Sequence, residues 1–441
     1  MNLRPGPTLI RFFWGGVAVG LASFVWGAVS WLLLPGLLYA GILAIQDYRR
    51  LRARETAVAL RRKIPARAGR DKAFPVALHL VNTTSHSLQG ELRDELPAAA
   101  EPAFWTVPLN LAPGEERDFS YALRLPLRGL SAIGPLWVRL RGPLGMWERQ
   151  APVGLPQEVK VYPESAVTTD EELRKKVRRE KRFFETSRQM RLRGEGMEFE
   201  SLVNYQEGDD PRHIDWRASA HQGLLMVRRF QIEHHRNVMI LVDCGRLMGT
   251  EAGTGTKLDR AVDSALMLCR VALDEGDRCG LSLFDDRVRG YLPPQLGPRA
   301  YSVVLETLYN AQSCMRETNF GAMFAMLQQR HPKRALVVVL SDLVDAETTD
   351  RFRGALATLS QRHVVLFAAL QTPYLMEVCR EPIASSRDVA RKATAMRLLR
   401  DREKALHSLR RSGVFVLDVP PDKVTVPLIN EYIAIRGRNL L

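Results

Sequence analysis

Cysteine is scarce in this chain: its 441 residues hold five, Cys244, Cys269, Cys279, Cys314 and Cys379. The number is odd and no two stand in a CxxC pair. That argues against a disulfide framework or a cysteine zinc site and fits a reducing compartment. Common enzyme signatures are missing too, with no nucleophile elbow, no HExxH and no Walker A motif. Gly253-Thr-Gly-Thr-Lys257 superficially looks like a phosphate loop, but the spacing is wrong and no strand of its own precedes it. The adjacent His234 and His235 would point in different directions from a strand, so they read as strand-entry residues. Acidic residues are outnumbered, with 49 Asp and Glu against 63 Lys and Arg and a net charge of +14. Such a balance suits an anionic membrane surface, a nucleic acid or an acidic partner, without choosing among them.

Charge is wholly absent from Phe12 to Gln46. One straight helix of that length would measure roughly 52 Å, against a bilayer core of about 30 Å. Two short helices in a transmembrane hairpin, residues 1–54, fit better than a single span ending near Pro35-Gly36. Arg49, Arg50, Arg52 and Arg54 follow the run, and the positive-inside rule puts that flank in the cytoplasm. The expected location is a bacterial inner membrane with the soluble domains on its cytoplasmic side.

Residues 55–164 read as a β-sandwich. Val76, Leu78 and Leu80 alternate with Ala77 and His79, and turn signals recur at short intervals, among them Pro113-Gly114 and Gly142-Pro143. Asn82-Thr83-Thr84 matches a glycosylation sequon but reads as turn chemistry. Residues 165–234 form a basic connector followed by a polar segment. Its Lys and Arg suit a solvated helix face or an anionic lipid surface, and Phe183 and Phe184 are thin support for nucleic acid. Beyond Asn237 the text alternates strand and helix: Val238–Val242, Leu258–Glu275, Cys279–Phe284, Ala335–Leu340, Val364–Leu370 and a long basic helix over Ser386–Arg411. Continuous apolar strands separated by helices predict an α/β domain over 235–441 with a Rossmann-like parallel sheet covered on both faces.

Ligand sites in such sheets lie outside the carboxyl ends of the strands. Asp243 ends the first strand and Asp342 follows the third, with Thr318 in a loop between them. Their hard oxygens suit Mg²⁺ or a similar cation, and the alternative is that both acids cap helix N-termini. An Asp-x-Ser-x-Ser run with a distant Thr and Asp forms the metal site of von Willebrand factor A domains, and this trio resembles it in order and approximate spacing. The resemblance predicts serines where Gly245 and Leu247 stand. Neither supplies a hydroxyl, so the site reads as degenerate.

The stretch Gly194–Ala220, including Asn204-Tyr-Gln-Glu-Gly-Asp-Asp-Pro-Arg-His-Ile-Asp-Trp-Arg217, is similar to the signature of the bacterial family called domain of unknown function 58. So are Gly223–Arg228, Leu127-Arg-Gly129, Pro143-Leu-Gly145 and the ending Ile435–Leu441. The one departure is Gly142, where the family pattern predicts an Asp. Asp209, Asp210, Arg212, Asp215 and Arg217 are expected to form a charge network with Trp216 as its packing anchor. A proton-transfer reading of Asp210, His213 and Asp215 is the competing one.

The resemblance implies a membrane-anchored scaffold rather than an enzyme, working with an AAA+ ATPase of the MoxR type. The alternative from the residues is a metal-assisted hydrolase using Asp243 and Asp342, with Mg²⁺ the only cofactor to consider. No specific nucleic acid is expected.

Overall fold

Sequence alternation becomes structure most directly in the strand Ala73–Asn82, whose Val76, Leu78 and Leu80 are fully buried while Ala73, Pro75 and Ala77 face out. The computed structural model describes residues 2–25, 30–52, 58–167, 198–206, 211, 214–231, 236–342, 346–438 and 440. They fall into two compact units, Met1–Val167 and Thr168–Leu441.

In the first unit that strand lies between Val58–Lys63 and Glu116–Arg124, all antiparallel. A five-stranded antiparallel sheet and a second three-stranded sheet complete the β-rich part. One apolar core joins them, drawing Leu78 and Leu80 from one sheet, Leu88, Leu92 and Leu109 from another and Val159 and Val161 from the third. Burial of each such side chain contributes roughly 1.5–3 kcal/mol. The sequon Asn82 is buried. Its amide donates to the carbonyls of His86 and Ala112 and its oxygen accepts from the Thr84 amide and hydroxyl. Turn chemistry is thus its observed role.

Two helices, Pro7–Val25 and Ser30–Arg52, occupy the uncharged N-terminal stretch and pack on each other. The transmembrane hairpin expected there is not supported. Among the described residues no helix is long and apolar enough to cross a membrane. The first carries Arg11, and the second ends in Asp47, Arg49, Arg50 and Arg52. Both are tied to the β-rich part of the same unit. Asn2–Pro5 pairs antiparallel with Trp147–Gln150. Asp47 is fully buried and accepts from the backbone amides of Leu144, Met146 and Trp147 at 2.8, 2.9 and 3.0 Å. Gly145 in that loop sits at φ +67°, which favours glycine.

In the second unit a six-stranded sheet carries the elements labelled here in their own order. They are β1 (Asn237–Asp243), α1 (Lys257–Asp274), β2 (Arg278–Phe284), β3 (Val288–Gln295), α2 (Pro298–Leu308), α3 (Phe320–Arg330), β4 (Leu336–Ser341), α4 (Ala346–Arg362), β5 (Val364–Leu370), α5 (Pro373–Arg380), α6 (Ser386–Arg411), β6 (Phe415–Val419) and α7 (Thr425–Gly437). The spatial order is β3-β2-β1-β4-β5-β6, parallel except for the antiparallel edge strand β3. Strands β1, β4 and β5 are almost entirely buried, because helices cover both faces. Residues Met239, Leu241, Val337, Val339 and Phe367 point to a core with Phe320 and Phe324 of α3 and Leu406 and Leu409 of α6. Helix α1 covers the opposite face with Val262, Leu266 and Cys269 buried, and α7 packs on it. A parallel sheet so built delivers the residues after β1, β2, β4 and β5 to one edge.

Candidate functional site

That edge collects three buried acids: Asp243 at the end of β1, Asp285 just after β2 and Asp342 just after β4. Thr318 arrives from the loop before α3. Its hydroxyl donates to Asp243 Oδ1 at 2.7 Å, and the Gly245 amide donates to the same oxygen at 2.7 Å. Ser341 Oγ donates to Oδ2 at 2.5 Å. Burial pushes the Asp243 carboxyl up to about 6, and the charge of Asp342 adds to the rise, although the three donors work against it. Asp285 behaves in the opposite way. Burial raises it, but the Arg287 amide, Cys314 and Arg289 together hold it down at about 2.

Asp342 is turned to other partners. Its Oδ2 accepts from the ammonium of Lys257, the first residue of α1, and its Oδ1 from Arg402 of α6 at 2.6 Å. Lys257 also donates to Thr372 Oγ1 at 2.6 Å, and Arg402 reaches Asp418 at 3.0 Å. Lys257 is fully buried, and burial draws its pKa down against the pull of Asp342. So the expected trio divides: Thr318 meets Asp243, while Asp342 belongs to a lysine and an arginine. Asp243 does not cap the helical turn after β1, since Gly245 occupies that N-cap position, and the N-cap of α4 after Asp342 lies outside the described residues.

A divalent cation needs open oxygen ligands. Here each carboxylate oxygen of Asp243 and Asp342 already accepts from a donor inside the chain. A Cβ at Gly245 would lie 2.2 Å from Thr318 Oγ1 and 3.0 Å from Asp243 Oδ1. The room in which a serine would stand is therefore taken by the threonine. These residues do not fit a bound Mg²⁺ in this arrangement. Gly245→Ser is expected to force Thr318 off Asp243 and to cost about 1–3 kcal/mol, read as a lower thermal midpoint.

The raised carboxyl of Asp243 has a signed consequence. Its folded pKa of about 6 lies above the ordinary 3.8, so between those values the folded chain holds a proton that the unfolded chain has released. This group therefore adds stability as pH falls from 6 to 4, by up to about 3 kcal/mol. Urea unfolding of Asp243→Asn should lack that gain, and wild type should show it once the other titrating groups are matched by difference.

The signature segment is described in part. Asp209, Asp210, Arg212 and His213 lie outside the described residues, as do His234 and His235. Asp215 is the N-cap of the helix Trp216–Gln222, and its Oδ1 accepts from the Arg217 and Ala218 amides. Trp216 is 69% exposed and packs no core, which corrects its expected role as an anchor. Arg217 is exposed as well.

Lys257, Arg402, Ser341 and Thr372 are the residues that sequence reading missed. Lys257 carried a signal: a cation in the first turn opposes the helix dipole, and its position directly after the capping Thr256 called for a buried acid. The others had none, since their meeting depends on chain segments far apart.

Among solved structures, similarity extends to the CARDB domain of the PF1109 protein from Pyrococcus furiosus (13% identity, 24% of this chain and 86% of that one, TM-score 0.18). It extends also to the conserved hypothetical protein BatB from Bacteroides thetaiotaomicron (12% identity, 46% of this chain and 100% of that one, TM-score 0.30). Likenesses this weak carry no argument. No curated protein matches the chain. The family described as Protein of unknown function DUF58 matches residues 201–381, which span the end of the signature segment, the β1–β5 framework and its carboxyl edge. Residues 201–381 of the chain are thus a DUF58-family segment.

Proposed function

We propose that this protein is an adaptor rather than an enzyme, and that it docks a protein partner at the carboxyl edge of its α/β unit, which we read as von Willebrand factor A-like. One observation carries the reading. The acids that chemistry at this edge would need are committed to internal donors, while the loop beside them presents Met315, 86% exposed, between Cys314 and Arg316. Exposed Arg246 and Arg316 flank it and pair with Glu317 and Asp286. An apolar side chain ringed by charge at a sheet's ligand edge is the pattern of a contact surface. The partner proposed from the family resemblance is an AAA+ ATPase of the MoxR type.

Attachment to a membrane belongs to the same proposal. The N-terminal helices leave Phe13, Trp14, Leu21, Leu37 and Leu38 each more than 60% exposed, and a lipid surface is the plainest cover for such an array. Basic residues after it favour an anionic, cytoplasm-facing leaflet. The competing reading, a metal-assisted hydrolase using Asp243 and Asp342, draws support from the raised Asp243 carboxyl and is weakened by the ion pairs of Asp342.

The test is retention of a purified MoxR-type ATPase by the full-length protein. Wild type should retain it, and Met315→Asp with Arg246→Glu should reduce retention about tenfold, the scale of one lost hot spot. No retention by wild type, or none of that loss in the variant, rejects docking at this edge.

A further inference from the structure

The carboxyl edge holds an acid pair of the kind that elsewhere calls for a cation, and it holds a cation of its own. We infer that Lys257 supplies permanently, by a covalently tethered ammonium, the charge compensation that a divalent ion would give Asp342, so that this edge is assembled and recognised without metal. The inference deepens the docking reading, and rests on it only for what is said about recognition.

Four observations converge. Lys257 is fully buried at the start of a helix, where both burial and the helix dipole disfavour a cation. A lysine persists in such a place when a fixed anion compensates it. Its ammonium contacts Asp342 Oδ2 and donates to Thr372 Oγ1, whose own hydroxyl lies 3.4 Å from the same carboxylate oxygen. Arg402 takes the other oxygen of Asp342 and continues to Asp418. The carboxylate thus has a donor on each oxygen and two positive charges beside it. On the Asp243 side the same closure is reached with neutral donors: Gly245 leaves space for Thr318, and Thr318 and Ser341 fill the two oxygens. The absence of a Cβ at position 245 and the presence of Lys257 are therefore two parts of one arrangement. The first removes a hydroxyl ligand and lets a neutral donor in, and the second removes the charge that would draw a metal.

The device also fixes geometry. A tethered ammonium links the start of α1 to the ends of β4 and β5, and Arg402 links α6 to β4 and β6. Loss of a dissociable ion cannot loosen these joints. Recognition at this edge would accordingly be indifferent to chelators.

The experiment uses the full-length protein. Thermal midpoints are recorded in chelator and in millimolar Mn²⁺ for wild type, Asp243→Ala, Lys257→Arg, Lys257→Ala, Asp342→Ala and the double variant Lys257→Ala/Asp342→Ala. Wild type should have the same midpoint in both conditions. Lys257→Ala should lower the folded-to-unfolded ratio about a hundredfold or more, because it takes one of the two cations from a buried carboxylate, and the double variant should cost less than the sum of the two single ones. Lys257→Arg keeps the charge and should keep most of the midpoint, which holds the test open should Lys257→Ala fail to fold. A rise of the wild-type midpoint with Mn²⁺ that disappears in Asp243→Ala would overturn the inference. So would a Lys257→Ala protein as stable as wild type. Neither result bears on retention of the ATPase, so this inference and the docking reading can fail separately.

Discussion

Asp277→Ala is expected to lower the stability of the α/β unit by about 3–5 kcal/mol, the range for stripping a buried charge from its partners. Asp277 is fully buried where α1 gives way to β2, on the edge opposite the candidate site. Its Oδ2 accepts from Tyr432 Oη at 2.7 Å and from Arg436 Nε at 3.1 Å, both on α7, and its Oδ1 accepts from the Arg236 amide at 3.2 Å. Arg436 reaches Glu275 as well, at 2.9 Å, and Arg236 donates back to the Arg436 carbonyl at 2.6 Å. Removing the carboxylate leaves a buried phenol and a backbone amide without acceptors. Burial and Asp277 together hold the Tyr432 hydroxyl protonated well above its usual range, so Tyr432→Phe removes a neutral donor only and should cost about 1 kcal/mol. Urea unfolding of the three proteins would give that ranking. An Asp277→Ala protein losing no more than Tyr432→Phe would show that α7 is held by apolar packing alone. The ending Ile435–Leu441 that resembles the family thus contains, in Arg436, a fastener of the C-terminal helix.

Asp47→Ala is expected to cost about 3 kcal/mol, because three backbone amides of one loop lose their acceptor at once. The more telling result concerns Gly142. A Cβ there would lie 2.2 Å from Asp47 Oδ2, so Gly142→Asp should be destabilising by overlap and by like charge. The family pattern expects an Asp at this position, and Asp47 brings its carboxylate to the same loop from the second helix. It follows that Asp47→Ala/Gly142→Asp should recover part of the loss of either single variant, with a coupling of about 1–3 kcal/mol. Thermal midpoints of the four proteins complete the cycle. Additive losses would mean that the two carboxylates are not interchangeable. The departure at position 142 and the burial of Asp47 then become one substitution carried out across the tertiary structure.

Much of the architecture was legible residue by residue. Alternating apolar positions in Ala73–Asn82, unbroken apolar strands at Asn237–Asp243 and Leu336–Ser341, and the long helix Ser386–Arg411 follow from periodicity, because burial on one face or two writes itself into hydrophobic order. The N-terminal stretch shows the limit. Its lack of charge foretold two helices, yet Asp47, just past that stretch, turned out to be buried against a β-loop about a hundred residues away. At the candidate site, spacing brought Thr318 to Asp243 and misassigned Asp342.

What the sequence determined by itself was therefore local and periodic: which segments are strands or helices, that parallel strands would gather acids at one edge, and that positions 245 and 247 lack hydroxyls. Only the tertiary structure decided which groups neutralise which. Lys257 meets Asp342 across 85 residues, Arg402 meets it across 60, and Tyr432 meets Asp277 across 155. Pairings over such separations leave no periodic trace, because a buried charge specifies only that some partner must be near, and the folded chain alone selects the one that arrives.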